Sequence, residues 1–219
     1  DGFHNDEKEL HYRWEGTYPG GFSELGALLT DLGAETRTVR ERLTDRSLAG
    51  VTCLIVADPD TPAEAAAPKY LTDAEAVAVE KWVRNGGRLL LLGNNEGNAE
   101  FLHLNRLARR FDIEFLNRTV KKGDGNGRLT LDVPASIPVF AGGSQLYAVD
   151  VAPLKVGKDV RVLLSHGEIP ILAMADFGRG KVVALGDPWV YNEYINSAHN
   201  RRLVSELFRY LLFERSGAE

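Results

Sequence analysis

Carboxylates, carboxamides and aromatic rings gather at three places in this chain, each directly after an apolar run. Leu89 to Gly93 leads into Asn94, Asn95, Glu96 and Asn98. Val182 to Gly186 leads into Asp187, Trp189, Tyr191, Asn192, Glu193 and Tyr194, and Leu54 to Ala57 leads into Asp58 and Asp60. Two carboxyl groups about 5 to 10 Å apart can cleave a glycosidic bond, one protonating the leaving oxygen while the other acts as nucleophile or base. Glu96 and Asp187 are the candidate catalytic pair. An aromatic face packs on the C–H face of a pyranose while amides and carboxylates bond its hydroxyls. Asp58, Asn94, Asn95, Asn98, Trp189, Tyr191, Asn192 and Glu193 are accordingly the candidate sugar contacts. A plainer reading competes: Asp58 and Asp187 each precede proline and suit turns, and the rings can anchor a loop in the core.

Other reactive groups carry less. Glu100 and His103, three residues apart, face one way on a helix and with Glu96 could approach a divalent ion. No cysteine pair or His-Glu-x-x-His spacing joins them, so a hydrogen-bonded pair is expected and no metal or cofactor is assigned. Ser23 reads as a helix cap, since no nucleophile elbow surrounds it. Gly178-Arg179-Gly180 reads as a hairpin turn, because no helix follows to make a phosphate cradle. The single cysteine, Cys53, lies inside an apolar run and reads as a small buried hydrophobe. His4 and His11 read as solvated loop residues.

The elements that must position these groups follow from periodicity. Phe22, Leu25, Leu28, Leu29 and Leu32 have helical spacing with Gly33 as a stop, and a short strand is expected over 35–40. Val51 to Ala57 and Arg88 to Leu92 are continuous apolar runs, the pattern of strands buried on both faces of a parallel sheet. Between them Thr72 and Glu75 make a capping box for a helix ended by Asn85-Gly86-Gly87. Asn98 can cap a further helix reaching Phe111, with a short strand over 113–116. The stretch 117–160, with a flexible turn over 121–127 and prolines at 134, 138 and 153, reads as an irregular insertion. Ile169 to Phe177 and Lys181 to Gly186 read as an antiparallel hairpin, followed by a closing helix bearing Leu203, Val204, Leu207, Leu211 and Leu212. If the strand ends share one edge, they form the crevice where open α/β sheets bind ligands.

The 219 residues, 44% hydrophobic and 26% charged, suit a single domain over 1–219. A net charge of -5 provides no footprint for nucleic acid, and no run approaches the roughly 20 apolar residues of a spanning helix. Neither nucleic acid nor a membrane is expected as a partner.

The order strand, helix, strand, helix, terminal hairpin and last helix resembles the class I glutamine amidotransferase-like superfamily. That resemblance implies an α/β, flavodoxin-like three-layer sandwich, with a mainly parallel sheet and a C-terminal antiparallel hairpin. Where that superfamily carries its nucleophilic Cys and its His, this chain has Asn94-Asn95 and Asp187, so amidotransferase chemistry is expected to be absent. The runs His11-Tyr12-Arg13-Trp14, Gly20 to Ser23, Val56 to Pro62, Gly93 to Phe101 and Gly186 to Tyr194 also resemble an amidotransferase-like domain joined to secreted unsaturated rhamnogalacturonyl (uronyl) hydrolases. This implies a periplasmic or secreted setting, an oligosaccharide ligand, an adjacent uronyl hydrolase domain as partner, and a first strand, ending at Gly2 to Asn5, that this chain largely lacks.

The leading expectation is thus a carbohydrate-linked, non-amidotransferase domain of a polysaccharide-degradation system with a glycan-recognising crevice. The alternatives are a glycoside hydrolase acting on uronic-acid or rhamnose-containing glycans, and a structural module packed on a catalytic domain.

Overall fold

The computed structural model describes residues 1–5, 11–121, 125, 127–140 and 143–213. In chain order the elements are α1 (Ser23–Asp31), β1 (Cys53–Ala57), α2 (Asp73–Arg84), β2 (Arg88–Leu92), α3 (Phe101–Ala108), β3 (Ile113–Phe115), β4 (Arg128–Val133), β5 (Ser144–Val149), β6 (Leu154–Val156), β7 (Arg161–His166), β8 (Ile169–Phe177), β9 (Gly180–Leu185) and α4 (Asn200–Phe213).

Five strands form one sheet in the order β1-β2-β9-β8-β7. β1, β2 and β9 are parallel, with Val56 beside Leu91 and Leu91 beside Ala184. β8 runs antiparallel to β9 and β7, and two separate antiparallel pairs join β3 with β6 and β4 with β5. The expected flavodoxin-like sandwich with a mainly parallel sheet is therefore corrected to a mixed, strand-rich fold of nine strands and four α-helices among the described residues. Connection length is the cause. A parallel pairing needs a crossover of about a dozen residues or more, usually through a helix, whereas two residues close an antiparallel one. Among the described residues no helix lies between Phe111 and Asn200, so strands in that stretch pair antiparallel, and only β9 returns alongside β2.

Successive side chains of a strand point to opposite faces, which sorts the sheet into two cores. Ile55, Ala57, Leu90, Leu92, Val183 and Leu185 join α1, α4 and the β4–β5 pair, while Leu54, Val56, Leu89, Leu91, Val182 and Ala184 join α2 and α3. Because both faces are covered, β2 from Leu89 and β9 from Val182 are apolar, and both strands are buried at every residue.

Local signals explain the ends. The Thr72–Glu75 capping box forms, and Glu75 also accepts from Leu43 N–H and Arg42. Gly178, at φ +60°, is the first central residue of the two-residue turn from β8 to β9, where a primed hairpin turn calls for positive φ. Four expectations shift. Phe22, not Ser23, is the N-cap of α1 and has no side-chain cap bond. α3 begins later than Asn98 because Glu100 caps it, accepting from His103 N–H. The stretch read as irregular carries the β4–β5 pair; of its expected turn over 121–127, residues 122–124 and 126 lie outside the described residues. The stretch 35–40 is neither helix nor strand.

Candidate functional site at the strand ends

β1, β2 and β9 are neighbours and parallel, so their carboxyl ends share one edge. Asp58 N–H bonds Leu92 C=O and Gly93 N–H bonds Leu185 C=O, carrying the ladder one residue into each loop. Asp58 then turns at φ +41°, a left-handed conformation that Asp tolerates better than most residues. Its Oδ2 accepts from Tyr12 Oη at 2.8 Å and Asn94 Nδ2 at 2.6 Å. Asn94 Oδ1 in turn accepts Asn95 N–H. Asp58, Asn94 and Asn95 are thus brought together as expected, around a tyrosine that strand-end reasoning missed. Burial, then the Asp58 carboxylate, holds the Tyr12 hydroxyl far above its usual range.

At the end of β9 the chain cannot turn without Gly186. Ala152 N–H donates to its carbonyl, and a Cβ there would lie 1.8 Å from Ala152 O. That approach seals Asp187, which is 1% exposed. Its Oδ2 accepts Val149 N–H, while Oδ1 is buried without a hydrogen-bond partner. Burial pushes its pKa up to about 8, opposed by the Val149 bond and assisted by the charges of Asp150 and Glu193. The carboxyl is therefore mainly protonated at neutral pH.

Trp189 is 0% exposed and packs with Leu185 and Val190 in the core that contains α1 and α4. It offers no face to a sugar. Asn192 is equally committed: Nδ2 donates to Gly16 O, Tyr18 O and Ser23 Oγ, and Oδ1 accepts Glu24 N–H at 2.9 Å. The cap that Ser23 was expected to supply for α1 comes from this distant amide. Glu193 is exposed on the same loop, its N–H bonded to Pro19 O. Glu96 and Asn98 lie on an exposed turn, where Glu96 N–H donates to Thr119 Oγ1 and Gly97 N–H to Asn117 Oδ1. An exposed Glu96 and a sealed Asp187 do not present two carboxyls to one substrate. Glu100 and His103 bond each other at 3.0 Å, and Tyr70 stacks on His103 with centroids 4.4 Å apart.

Half-buried rings line the edge beside these groups. Tyr147 meets Tyr194, Tyr194 meets Tyr191, and Tyr191 meets Tyr12, with centroids 5.6, 5.1 and 6.0 Å apart. Beyond Tyr12 the row continues through His11 to Tyr18, so His11 is stacked rather than a solvated loop residue. His4 is not solvated either: it is 1% exposed, between Asp1 and Glu75, and burial pushes its pKa down to about 4. The row draws on β5, the 187–194 loop and the 11–18 segment, which no sequence spacing links; the only signal was the aromatic density around 11–14 and 189–194.

Residues 15–208 match the family described as Domain of unknown function (DUF4350), and the chain belongs to it. Similar solved structures include the N-terminal domain of mmIFT52, at 20% identity and TM-score 0.73 over 90% of this chain and 92% of that one. The cytoplasmic protein STM3548 of Salmonella typhimurium aligns at 16% identity and TM-score 0.66 over 91% and 89%. The exo-β-1,4-mannosidase Op5Man5 of Opitutaceae bacterium strain TAV5 aligns at 14% and TM-score 0.52 over 86% of this chain and 30% of that one. At these identities the likeness is one of fold. No curated protein sequence matches the chain. The expected membership of the amidotransferase-like superfamily is corrected accordingly: the family is DUF4350, and the neighbours are these domains.

Proposed function

We propose that this DUF4350 domain recognises an oligosaccharide at its strand-end surface, and that tyrosines rather than Trp189 supply the stacking faces. The observation that carries the reading is the unbroken row Tyr147, Tyr194, Tyr191 and Tyr12, half-buried and next to the amides of Asn94 and Asn95. Rings with an apolar body and a polar tip suit a ligand that is apolar on its C–H face and hydroxylated at its rim. The occurrence of this fold within the chain of an exo-β-1,4-mannosidase supports a carbohydrate setting. The role is binding, because Asp187 is sealed from substrate.

Titration calorimetry against pectic and hemicellulosic oligosaccharides tests the reading. Tyr191→Ala and Tyr194→Ala should each weaken binding about tenfold, the equivalent of roughly 1.4 kcal/mol for a lost aromatic contact, while Tyr194→Phe retains most of it. No heat of binding for any saccharide at millimolar concentration would sink it.

The second reading, a structural module that packs on another domain, is favoured by Asn192, whose amide is spent on internal bonds. Under that reading Tyr191→Ala lowers stability and alters no saccharide binding.

A further inference from the structure

The row of rings at the strand-end edge has a regular step. From Tyr147 through Tyr194 and Tyr191 to Tyr12 the centroids lie 5.6, 5.1 and 6.0 Å apart, and His11 and Tyr18 continue it at 5.8 and 5.6 Å. Orientation alternates as well. Across the first three contacts the ring planes meet at 69°, 73° and 80°, each an edge-to-face pair. In such a pair the edge of one ring covers the face of the other. A flat ligand lying along the row can therefore stack on every second ring at most, and meets an edge or a hydroxyl at the ring between.

Both ends of the row are polar. At the Tyr12 end stand Asn94 and Asn95, with Asp58 Oδ2 joining Tyr12 to Asn94. At the other end Tyr147 pairs across β4–β5 with Thr130, and Gln145 pairs with Asp132. Residues directly opposed in an antiparallel pair share a face. Arg128, Thr130, Asp132 and Gln145 are exposed on the face that carries Tyr147, while Leu129, Leu146 and Ala148 fill the core side. Gln145 Nε2 donates to Asp132 Oδ1 at 2.9 Å, which fixes the amide there. The start of α4 holds the corner between the two elements. Asn200 Oδ1 accepts Tyr147 N–H, and its Nδ2 donates to Tyr147 O and Tyr194 O. The step from Tyr147 to Tyr194 is thus set by bonds to the backbone of both residues.

We infer that the occupant is an extended glycan chain joined through equatorial 1,4 links, laid along the row from Asn94 to the outer face of β4–β5, with at least as many sugars as the row has tyrosines. This rests on the oligosaccharide reading above. Two features of such a chain match the row. Its pyranoses succeed one another at one ring length, the scale of the steps between these centroids, whereas a chain with an axial link coils away from a straight line. Successive pyranoses are also turned over, so the same C–H face returns at every second sugar. That is the interval at which the row can offer an open ring. The sugars between turn their hydroxyls towards tyrosine edges, where each Oη can donate and accept. Every ring of the row is only half-buried, so affinity builds up over several modest stacking contacts.

The test measures the affinity of the full chain for cello-, manno- and xylo-oligosaccharides from disaccharide to hexasaccharide. Malto-oligosaccharides and pectic oligosaccharides of the same lengths, which carry axial links, are the controls. In at least one of the first three series affinity should rise about tenfold from disaccharide to tetrasaccharide, the scale of one more stacked face. The controls should stay about tenfold weaker or more at every length. Tyr147→Ala should lower affinity for the hexasaccharide about tenfold and leave that for the disaccharide within about twofold, whereas a variant that folds poorly would lower both. Affinity that is flat with length, or controls that bind as tightly as the equatorially linked chains, would overturn the extended occupant while the oligosaccharide reading stands. Absence of binding by every saccharide would bring down that reading and the inference with it.

Discussion

Asn192 caps a helix that begins 169 residues before it: its Oδ1 accepts Glu24 N–H while its Nδ2 spans Gly16 O and Tyr18 O. One side chain therefore ties the loop after β9 to the start of α1 and to the turn that precedes it. Asn192→Ala strips a cap and leaves two carbonyls without their donor, and should cost about 2 to 4 kcal/mol in urea unfolding. A loss below about 0.5 kcal/mol would show that the clamp is dispensable.

Asp187 sets a pH dependence with a definite sign. Its folded pKa, about 8, lies above the ordinary 3.8, so the folded state holds a proton that the unfolded state releases. Stability from this group is complete below about pH 4, falls as pH rises towards 8, and is lost above it. Asp187→Asn keeps an acceptor for Val149 N–H without the charge. It should match the parent below about pH 4 and exceed it by a few kcal/mol at pH 9, read as the melting temperature across that range. Identical pH profiles would exclude a buried, protonated Asp187.

Trp189 is a core residue in a loop. Trp189→Ala should cost about 3 to 5 kcal/mol, the range for deleting a large buried ring. Tyr191→Ala, at a half-buried position, should cost clearly less. The two unfolding midpoints compared directly check the assignment, and equal losses would contradict it.

Gly186→Ala should be among the most damaging single changes in the chain. Its Cβ would sit 1.8 Å from a backbone oxygen rather than a mobile side chain, so β9 or the 150–153 segment must move. A loss of about 4 kcal/mol or more is expected, at the exceptional end for point substitutions, with soluble yield and thermal melting as the readout.

The sheet's central strands were legible because burial on both faces leaves a run such as Leu89-Leu90-Leu91-Leu92 no polar position, and β2 matches the expected span. The α2 capping box was legible because it is local in sequence. The β8–β9 hairpin was legible from its short turn, whereas the antiparallel β7 and the β4–β5 pair were not, since apolar periodicity carries no partner information. In the site, Asp58, Asn94 and Asn95 came together because each directly follows its strand. Trp189 and Asn192 were misjudged as ligand contacts because a loop's polarity does not show which way it folds. Here it turns inward onto residues 16–24, and only that distant contact decides that the indole is core and the amide is a clamp.

The place of β9 in the sheet has a consequence for synthesis on the ribosome. β2 is complete at Leu92, yet one of its two flanking strands begins only at Gly180. Throughout the intervening translation β2 carries an unpaired apolar edge, held on one side by β1 alone. Such an edge is a template for pairing with another chain, and late, long-range closure is slow. The nascent polypeptide is therefore most prone to self-association in the interval between these two strands, and any stall before residue 180 prolongs it.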